Sequence, residues 1–245
     1  MITIHTQPIG DKVLLPNDEL EKLIELARQK QEIKAERLAV SDFPPDPKAL
    51  TVKMTYEEFL EWLDEDTHAE WINGEVIFMT PISIEHQNLG RFLLSLISHF
   101  ADLHQLGVVA YDPFQMKTAP ELPSRAPDIL FVANENLSRL EETYLNGPAD
   151  LVVEIISPGS RGTDRGDKFY EYEEGGVCEY WLIDPQRHQA EFYLRGEDGI
   201  YCLAPISKEG IFRSAVLKGL WLKTDWLWKE SMPSVLEVLK EWGLV

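Results

Sequence analysis

The sequence predicts a mixed α/β (α+β) domain built on one central sheet. Three observations predict it. Leu89, Phe92, Leu93, Leu96, Ile97, Phe100 and Leu103 recur at helical spacing and mark one long amphipathic helix. The run Leu151 to Ile156 is apolar on both faces except at Glu154, as in a strand with sheet on either side. Asn73-Gly74, flanked by Trp71-Ile72 and Val76-Ile77-Phe78, is the favoured dipeptide of a two-residue hairpin turn.

Taken in order, Asn17 and Asp18 cap a first helix whose stripe is Leu20, Leu23, Ile24 and Ala27, and Arg28 to Arg37 is mostly charged. Three prolines in SDFPPDPKAL then read as a linker. Thr55 followed by Glu58 is a capping-box pattern opening a short helix with Phe59, Leu60 and Leu63 on one side. After the hairpin, the long helix is expected from Ser83, with Gly107 as its stop. Strands are expected at Val108–Tyr111, Gln115–Thr118, Asp128–Ala133, Leu151–Ile156 and Glu179–Asp184, with a helix over Thr163–Glu174 before the last. A hairpin around GEDG joins Ala190–Leu194 to Ile200–Ala204; tail strands follow near Phe212 and Leu220, and a short helix follows Pro233. The expected organisation is a helical extension and Pro-rich linker at 1–49, a main domain at 50–230, and a helix at 231–245 packing on it.

Composition narrows the class. With 245 residues, 44% of them hydrophobic, the chain can bury a real core. Its longest apolar runs fall far short of the roughly 20 residues needed to cross a bilayer. The start, MITIHTQPIG, has neither a basic segment nor a continuous apolar one. Two cysteines exclude a disulfide framework or a Cys-rich zinc site. The expectation is a soluble, cytoplasmic protein with no membrane partner. A net charge of −19, from 42 acidic and 23 basic residues, argues against a general nucleic-acid binder. Part of that excess is local: residues 57–75 hold eight acids and no Lys or Arg, whereas Arg125, Arg161, Arg165 and Lys168 gather around the residues discussed next.

Glu154 stands inside LVVEIIS, where a buried carboxylate costs several kcal/mol unless it is paired, protonated or bound to a metal. Asp128 similarly opens the apolar run DILFVA, directly after Pro127. Two carboxylates on neighbouring strands suit a hard cation, since Mg²⁺ takes oxygen ligands and keeps several waters. The residues alone equally allow Glu154 to pair with a core Arg or Lys while Asp128 caps its strand. Within RGTDRGDKFYEY, Asp164, Lys168 and Tyr172 are four apart and would share one helix face, setting an ammonium beside the acids. The competing reading is a solvated Asp164–Lys168 pair.

These residues, in this order, resemble the Uma2 family, a large bacterial family with the PD-(D/E)XK nuclease fold. The matching pieces are EWINGEV (Glu70 to Val76), the Ser83–His86 spacing, Pro127-Asp128-Ile129, VVEIISPGS, then Asp164, Lys168 and Tyr172, and GVCEYWLIDP (Gly176 to Pro185). The resemblance covers about Val52 to Leu227. It implies a restriction endonuclease-like αβββαβ core with a central mixed sheet flanked by helices, here with C-terminal β-hairpin additions. It also implies Mg²⁺ or Mn²⁺ held by Asp128 and Glu154, and nucleic acid, DNA first, as partner. The superfamily's usual lysine would stand at Ile156; the Uma2 pattern instead takes it from the following helix, which selects Lys168. Glu70 matches an early acidic position expected to support the site.

Other residues carry two readings each. His86 fits the family's recurring histidine, contacting substrate or orienting Glu70, and equally fits a helix-cap histidine. Tyr172 is either a hydrogen-bond donor to a site carboxylate or a core aromatic. Arg161 and Arg165 are expected to contact phosphate. Cys178 is expected as a buried small hydrophobe, and Asp184-Pro185 as a strand-end turn. The expected function is metal-dependent DNA endonuclease. A non-catalytic interaction protein that keeps the fold, or a nuclease for RNA, are the alternatives. A homodimer is compatible with double-strand cleavage, which needs two sites or two visits.

Overall fold

A computed structural model describes residues 52–64, 67–79, 82–228 and 232–245. The expected N-terminal helix and Pro-rich linker lie outside the described residues. The chain divides into two compact units, Met1–Thr80 and Pro81–Val245. No described helix is long and apolar enough to cross a membrane.

In the first unit, β1 (Val52–Lys53) precedes α1 (Tyr56–Trp62), and β2 (Ala69–Ile72) turns into β3 (Glu75–Phe78). The capping box forms as its sequence requires: Glu58 N–H donates to Thr55 Oγ1 at 3.2 Å and Thr55 N–H to Glu58 Oε2 at 3.0 Å. Asn73 (φ 51) and Gly74 (φ 88) both adopt left-handed backbone, as a primed hairpin turn demands. Phe59 plugs α1 into a small cluster with Met54, Ala69 and Val76. The Trp71 indole N–H donates to the Met54 carbonyl at 2.9 Å, tying the hairpin to the chain before α1.

The second unit opens with α2 (Ile84–His104), capped by Ser83, whose Oγ accepts from His86 N–H at 3.2 Å. There follow β4 (Gly107–Tyr111), β5 (Gln115–Lys117), β6 (Ser124–Arg125), β7 (Ile129–Ala133), β8 (Tyr144–Asn146) and β9 (Leu151–Ile155). After β9 come α3 (Arg161–Arg165), α4 (Asp167–Gly175), β10 (Glu179–Asp184), β11 (Gln189–Arg195), β12 (Tyr201–Leu203), β13 (Ile211–Arg213), β14 (Trp221–Lys223) and α5 (Val235–Glu241). The main sheet runs β12-β11-β10-β9-β7-β4. Only β9 and β10 pair in parallel; the other neighbours are antiparallel, so the sheet is mixed. Within this unit β5 also pairs β6 antiparallel and β8 parallel, and β13 pairs β14 as a separate hairpin.

Strand alternation sorts the core into two layers. Ile129, Phe131, Leu151, Val153, Ile155, Trp181 and Ile183 face α2 and the tail, where Leu89, Phe92, Leu93, Leu96, Ile97 and Phe100 are buried. At about 1.5–3 kcal/mol for each fully buried large apolar side chain, that stripe is ample to fix α2 against the sheet. Leu130, Val132, Val152, Ile156 and Leu182 face the other way, toward Tyr172 and Tyr180. Helix α5 packs on α2 through the edge-on pair Phe100–Trp242.

Two expectations about boundaries need correction. The left-handed residue closing α2 is Gln105 (φ 51), not Gly107. Gly107 lies in β4, where a Cβ would sit 2.0 Å from the Val132 carbonyl oxygen, so glycine is required by close approach between strands. The helix expected over Thr163–Glu174 is two helices broken at Gly166 (φ −116, ψ −93). A Cβ at Gly166 would meet the Gly162 carbonyl oxygen at 2.7 Å.

Candidate functional site

The two acids read from sequence come together. Register β7–β9 pairs Ile129 with Val153. One further step places Asp128 opposite Glu154, on the same sheet face as Leu130 and Val152. Asp128 precedes its strand, and its Oδ2 accepts from the Ile155 N–H at 2.6 Å, which pins the carboxylate across the pair. His86 approaches the same oxygen from α2, with Nε2 at 3.4 Å. Glu154 Oε1 accepts from Lys168 Nζ at 2.9 Å and from Tyr172 OH at 2.7 Å. Both donors stand on α4, one turn apart, so a single helix face supplies them.

Asp164 completes the group. It closes α3, and Lys168 Nζ lies 3.4 Å from its Oδ1, so the ammonium is held between two carboxylates. The break at Gly166 alters the expected single-helix face but leaves this triangle intact. The Tyr180 hydroxyl donates to the Asp164 backbone carbonyl at 3.1 Å, anchoring α3 to β10. Sequence spacing put Asp164 beside Lys168 without making it a site member; its burial, at 1% exposure, is what spacing could not show.

The electrostatics follow from burying Glu154 and Asp164 at one ammonium, with the half-buried Asp128 close by. Burial pushes the Glu154 carboxyl well above the usual range; the charges of Asp164 and Asp128 push the same way, and Lys168 opposes them. Asp164 is also raised, again by burial first, with Lys168 opposing and Asp128 adding. For His86, burial lowers the pKa. Asp128, through its hydrogen bond and its charge, together with the Ile155 carbonyl and Asp164, outweighs that and leaves it raised. The side chain of Asp128 is 20% exposed against 4% for Glu154 and 1% for Asp164, so the group opens to solvent at Asp128.

The donor set fits a hard divalent cation: oxygen ligands, an excess of negative charge, and a solvent-reachable carboxylate. Among the described residues no three His, Cys, Asp or Glu side chains already close around one point. A cation bound here therefore keeps several waters, as Mg²⁺ does readily.

The expected basic rim is differently disposed. Arg125 is buried and closes on Glu171 with two bonds of 2.7 Å. Arg161 bonds both oxygens of Asp184, at 3.2 and 3.4 Å, and reaches Gln186. Arg165 pairs with Glu191. Asp184 does end its strand in a turn, accepting from Arg187 N–H at 3.1 Å, but it is fully buried and also anchors α3 through Arg161. Glu70 is buried in β2 of the first unit, opposite Ile77. Cys178, expected in the core, is exposed, because it precedes β10 on the turn that leaves α4.

Comparison with known proteins places the chain. The Uma2 family, described as "Putative restriction endonuclease", matches residues 56–225. The chain is 24% identical over 155 residues to uncharacterized protein slr1290 of Synechocystis, covering 62% of this chain and 80% of that protein. It is 26% identical over 164 residues to uncharacterized protein sll1609 of the same organism, covering 66% and 92%. Among solved structures, a putative nuclease belonging to DUF820 from Anabaena variabilis superposes with a TM-score of 0.58 at 19% identity, covering 71% of this chain and 97% of that one. That likeness shows a shared nuclease-like fold.

Proposed function

Because the chain belongs to the Uma2 family, we propose that it is a divalent-cation-dependent endonuclease acting on DNA, with Asp128 and Glu154 holding Mg²⁺ or Mn²⁺. The observation that carries this reading is the facing of Asp128 and Glu154 across β7–β9, with the Lys168 ammonium 2.9 Å from Glu154. When bound, the cation supplies Lewis acidity at the phosphate and a water acidic enough to act near neutral pH.

The chain's own residues do the rest. Asp128, at the open side, offers oxygen to the cation while Ile155 N–H and His86 fix its orientation. Tyr172 holds the Glu154 rotamer through Oε1. Lys168, set between Glu154 and Asp164, stabilises negative charge as it grows on the phosphate oxygens. Any phosphate contact by Arg161 or Arg165 has to compete with Asp184 or Glu191, so those contacts form only as the ion pairs exchange. With a net charge of −19, binding is weak and salt-sensitive, and a second copy adds a second site for the opposite strand.

The test is cleavage of supercoiled plasmid with Mg²⁺ or Mn²⁺, comparing the full chain with Asp128→Ala and Glu154→Ala. The expected result is nicking that both substitutions and EDTA abolish. Equal cleavage by all three preparations would trace to a contaminant and overturn the reading. Glu70→Gln in the same assay tests the sequence expectation for that residue separately, and single-stranded RNA in place of plasmid tests the substrate class.

A further inference from the structure

A buried carboxylate normally accepts hydrogen bonds, because leaving its oxygens dry costs more than leaving them in water. Asp164 departs from that rule. It is 1% exposed, and among the described residues neither of its side-chain oxygens accepts a hydrogen bond. Ser160 Oγ accepts from the Ser157 N–H at 3.0 Å and from the Ser157 hydroxyl at 3.1 Å, and makes no short bond to Asp164. Lys168 lies 3.4 Å away but gives its short bond to Glu154, at 2.9 Å. Asp164 is thus an acceptor with unused lone pairs, facing the same ammonium as Glu154 and close enough to Asp128 for the two charges to interact. Glu154 and Asp164 share the one Lys168 ammonium, and the charge of Asp128 acts on both acids. Both imbalances, of charge and of hydrogen bonding, are relieved by one hydrated divalent cation, whose waters donate.

We propose that Asp164 is the third acidic member of the cation site, acting through water rather than by merely seating Lys168. This rests on the reading that Asp128 and Glu154 hold the cation. A purely structural Asp164 would be held by a short bond, whereas its closest charged partner, Lys168 Nζ, stands 3.4 Å away and neither oxygen accepts a hydrogen bond. Carboxylates of this kind, hydrogen-bonded around a metal rather than bonded to it, typically change affinity about 10–100-fold when removed.

The experiment is Mn²⁺ titration by calorimetry on the full chain, with melting followed in EDTA. Asp164→Asn keeps the shape and removes the charge. The expected result is Mn²⁺ affinity about 10-fold weaker or more, with a melting temperature in EDTA equal to or above that of the unaltered protein, because a dry carboxylate has gone. A merely structural role predicts the opposite pair, a lower melting temperature in EDTA with affinity within twofold, and that result overturns the proposal. Asp164→Ser, which also removes the charge, serves if Asn fails to fold, and is judged by the same affinity criterion. Asp128→Asn separates the two levels. If it abolishes Mn²⁺ binding while Asp164→Asn does not weaken it, only the present inference falls. If Asp128→Asn leaves binding unchanged, the two-carboxylate reading falls and takes Asp164 with it.

Discussion

Lys168 donates to Glu154 Oε1 at 2.9 Å, with 5% and 4% of their side chains exposed. Removing one partner of such a pair leaves the other buried and uncompensated, which typically costs about 3–5 kcal/mol, whereas replacing both can be nearly neutral. Lys168→Met should therefore destabilise the chain by about 3 kcal/mol in urea melts, and Lys168→Met with Glu154→Gln should recover part of that loss, since Asp164 stays buried without the ammonium. Equal losses for the single and the double substitution would mean that the pair is not energetically coupled.

The turn between α3 and α4 places that lysine, and two glycines make the point by contrast. A Cβ at Gly166 meets a backbone oxygen at 2.7 Å, so Gly166→Ala must shift the chain that carries Lys168. We expect loss of plasmid cleavage together with about 1–3 kcal/mol of stability. Gly90, in α2, has only the Ile155 side chain within reach of an added Cβ, at 3.5 Å, an ordinary contact. Gly90→Ala should gain about 0.5–1 kcal/mol from helix propensity alone. Urea melts of both variants check the pair; a loss at Gly90 as large as at Gly166 would show that the oxygen contact is not the cause.

How far the sequence discloses this site depends on the range of each interaction. Glu154 and Asp128 are legible because each is a charge in an apolar run, an anomaly visible within six residues. Lys168 and Tyr172 are legible because helical spacing is local. The partners of the arginines are not. Glu171, Asp184 and Glu191 lie 46, 23 and 26 residues from Arg125, Arg161 and Arg165, and nothing local marks which acid each will meet. Grouped basic residues therefore read as a free rim, while the fold turns them inward as ion pairs. The helix break escapes for a different reason. A lone glycine inside a helical pattern is tolerated, so Gly166 gives no signal until the Gly162 carbonyl is seen against it.

Cys178 combines an exposed position with a thiol pKa raised above its ordinary value. Although the residue is exposed, its sulfur rests against the Gly176 carbonyl, 3.9 Å away. Burial of the thiol raises its pKa; Asp150 adds to this, and Arg195 and Arg139 pull back only in part. A raised value means less thiolate at neutral pH, and the thiolate is the nucleophile. With Cys202→Ser leaving one thiol, iodoacetamide labelling should be slow at neutral pH and reach half its maximal rate above the ordinary range of about 8.5–9. Adding Arg195→Gln should move that midpoint higher still. A midpoint below the ordinary range would contradict the environment described here.

Glu179 makes the opposite use of a buried acid. On the sheet face away from Glu154, it opens β10 and is saturated with donors. Oε1 takes the Trp181 indole N–H at 2.6 Å, and Oε2 takes Ser214 Oγ at 3.1 Å, Ala215 N–H at 2.8 Å and Val216 N–H at 2.9 Å. Ser214 Oγ in turn accepts from Leu217 N–H at 2.8 Å, so one carboxylate latches the tail segment to the central sheet. Truncation strands four donors, each costing about 1–3 kcal/mol when unsatisfied, though not additively. We expect Glu179→Ala to lose about 3–5 kcal/mol and Glu179→Gln, which keeps one acceptor, to lose less. Because the latch has no contact with Asp128, Glu154 or Asp164, Mn²⁺ affinity measured on the folded Gln variant should stay within twofold of the unaltered protein. A tenfold loss of affinity would show that the two sheet faces are energetically linked and that the cation site depends on how the tail is held.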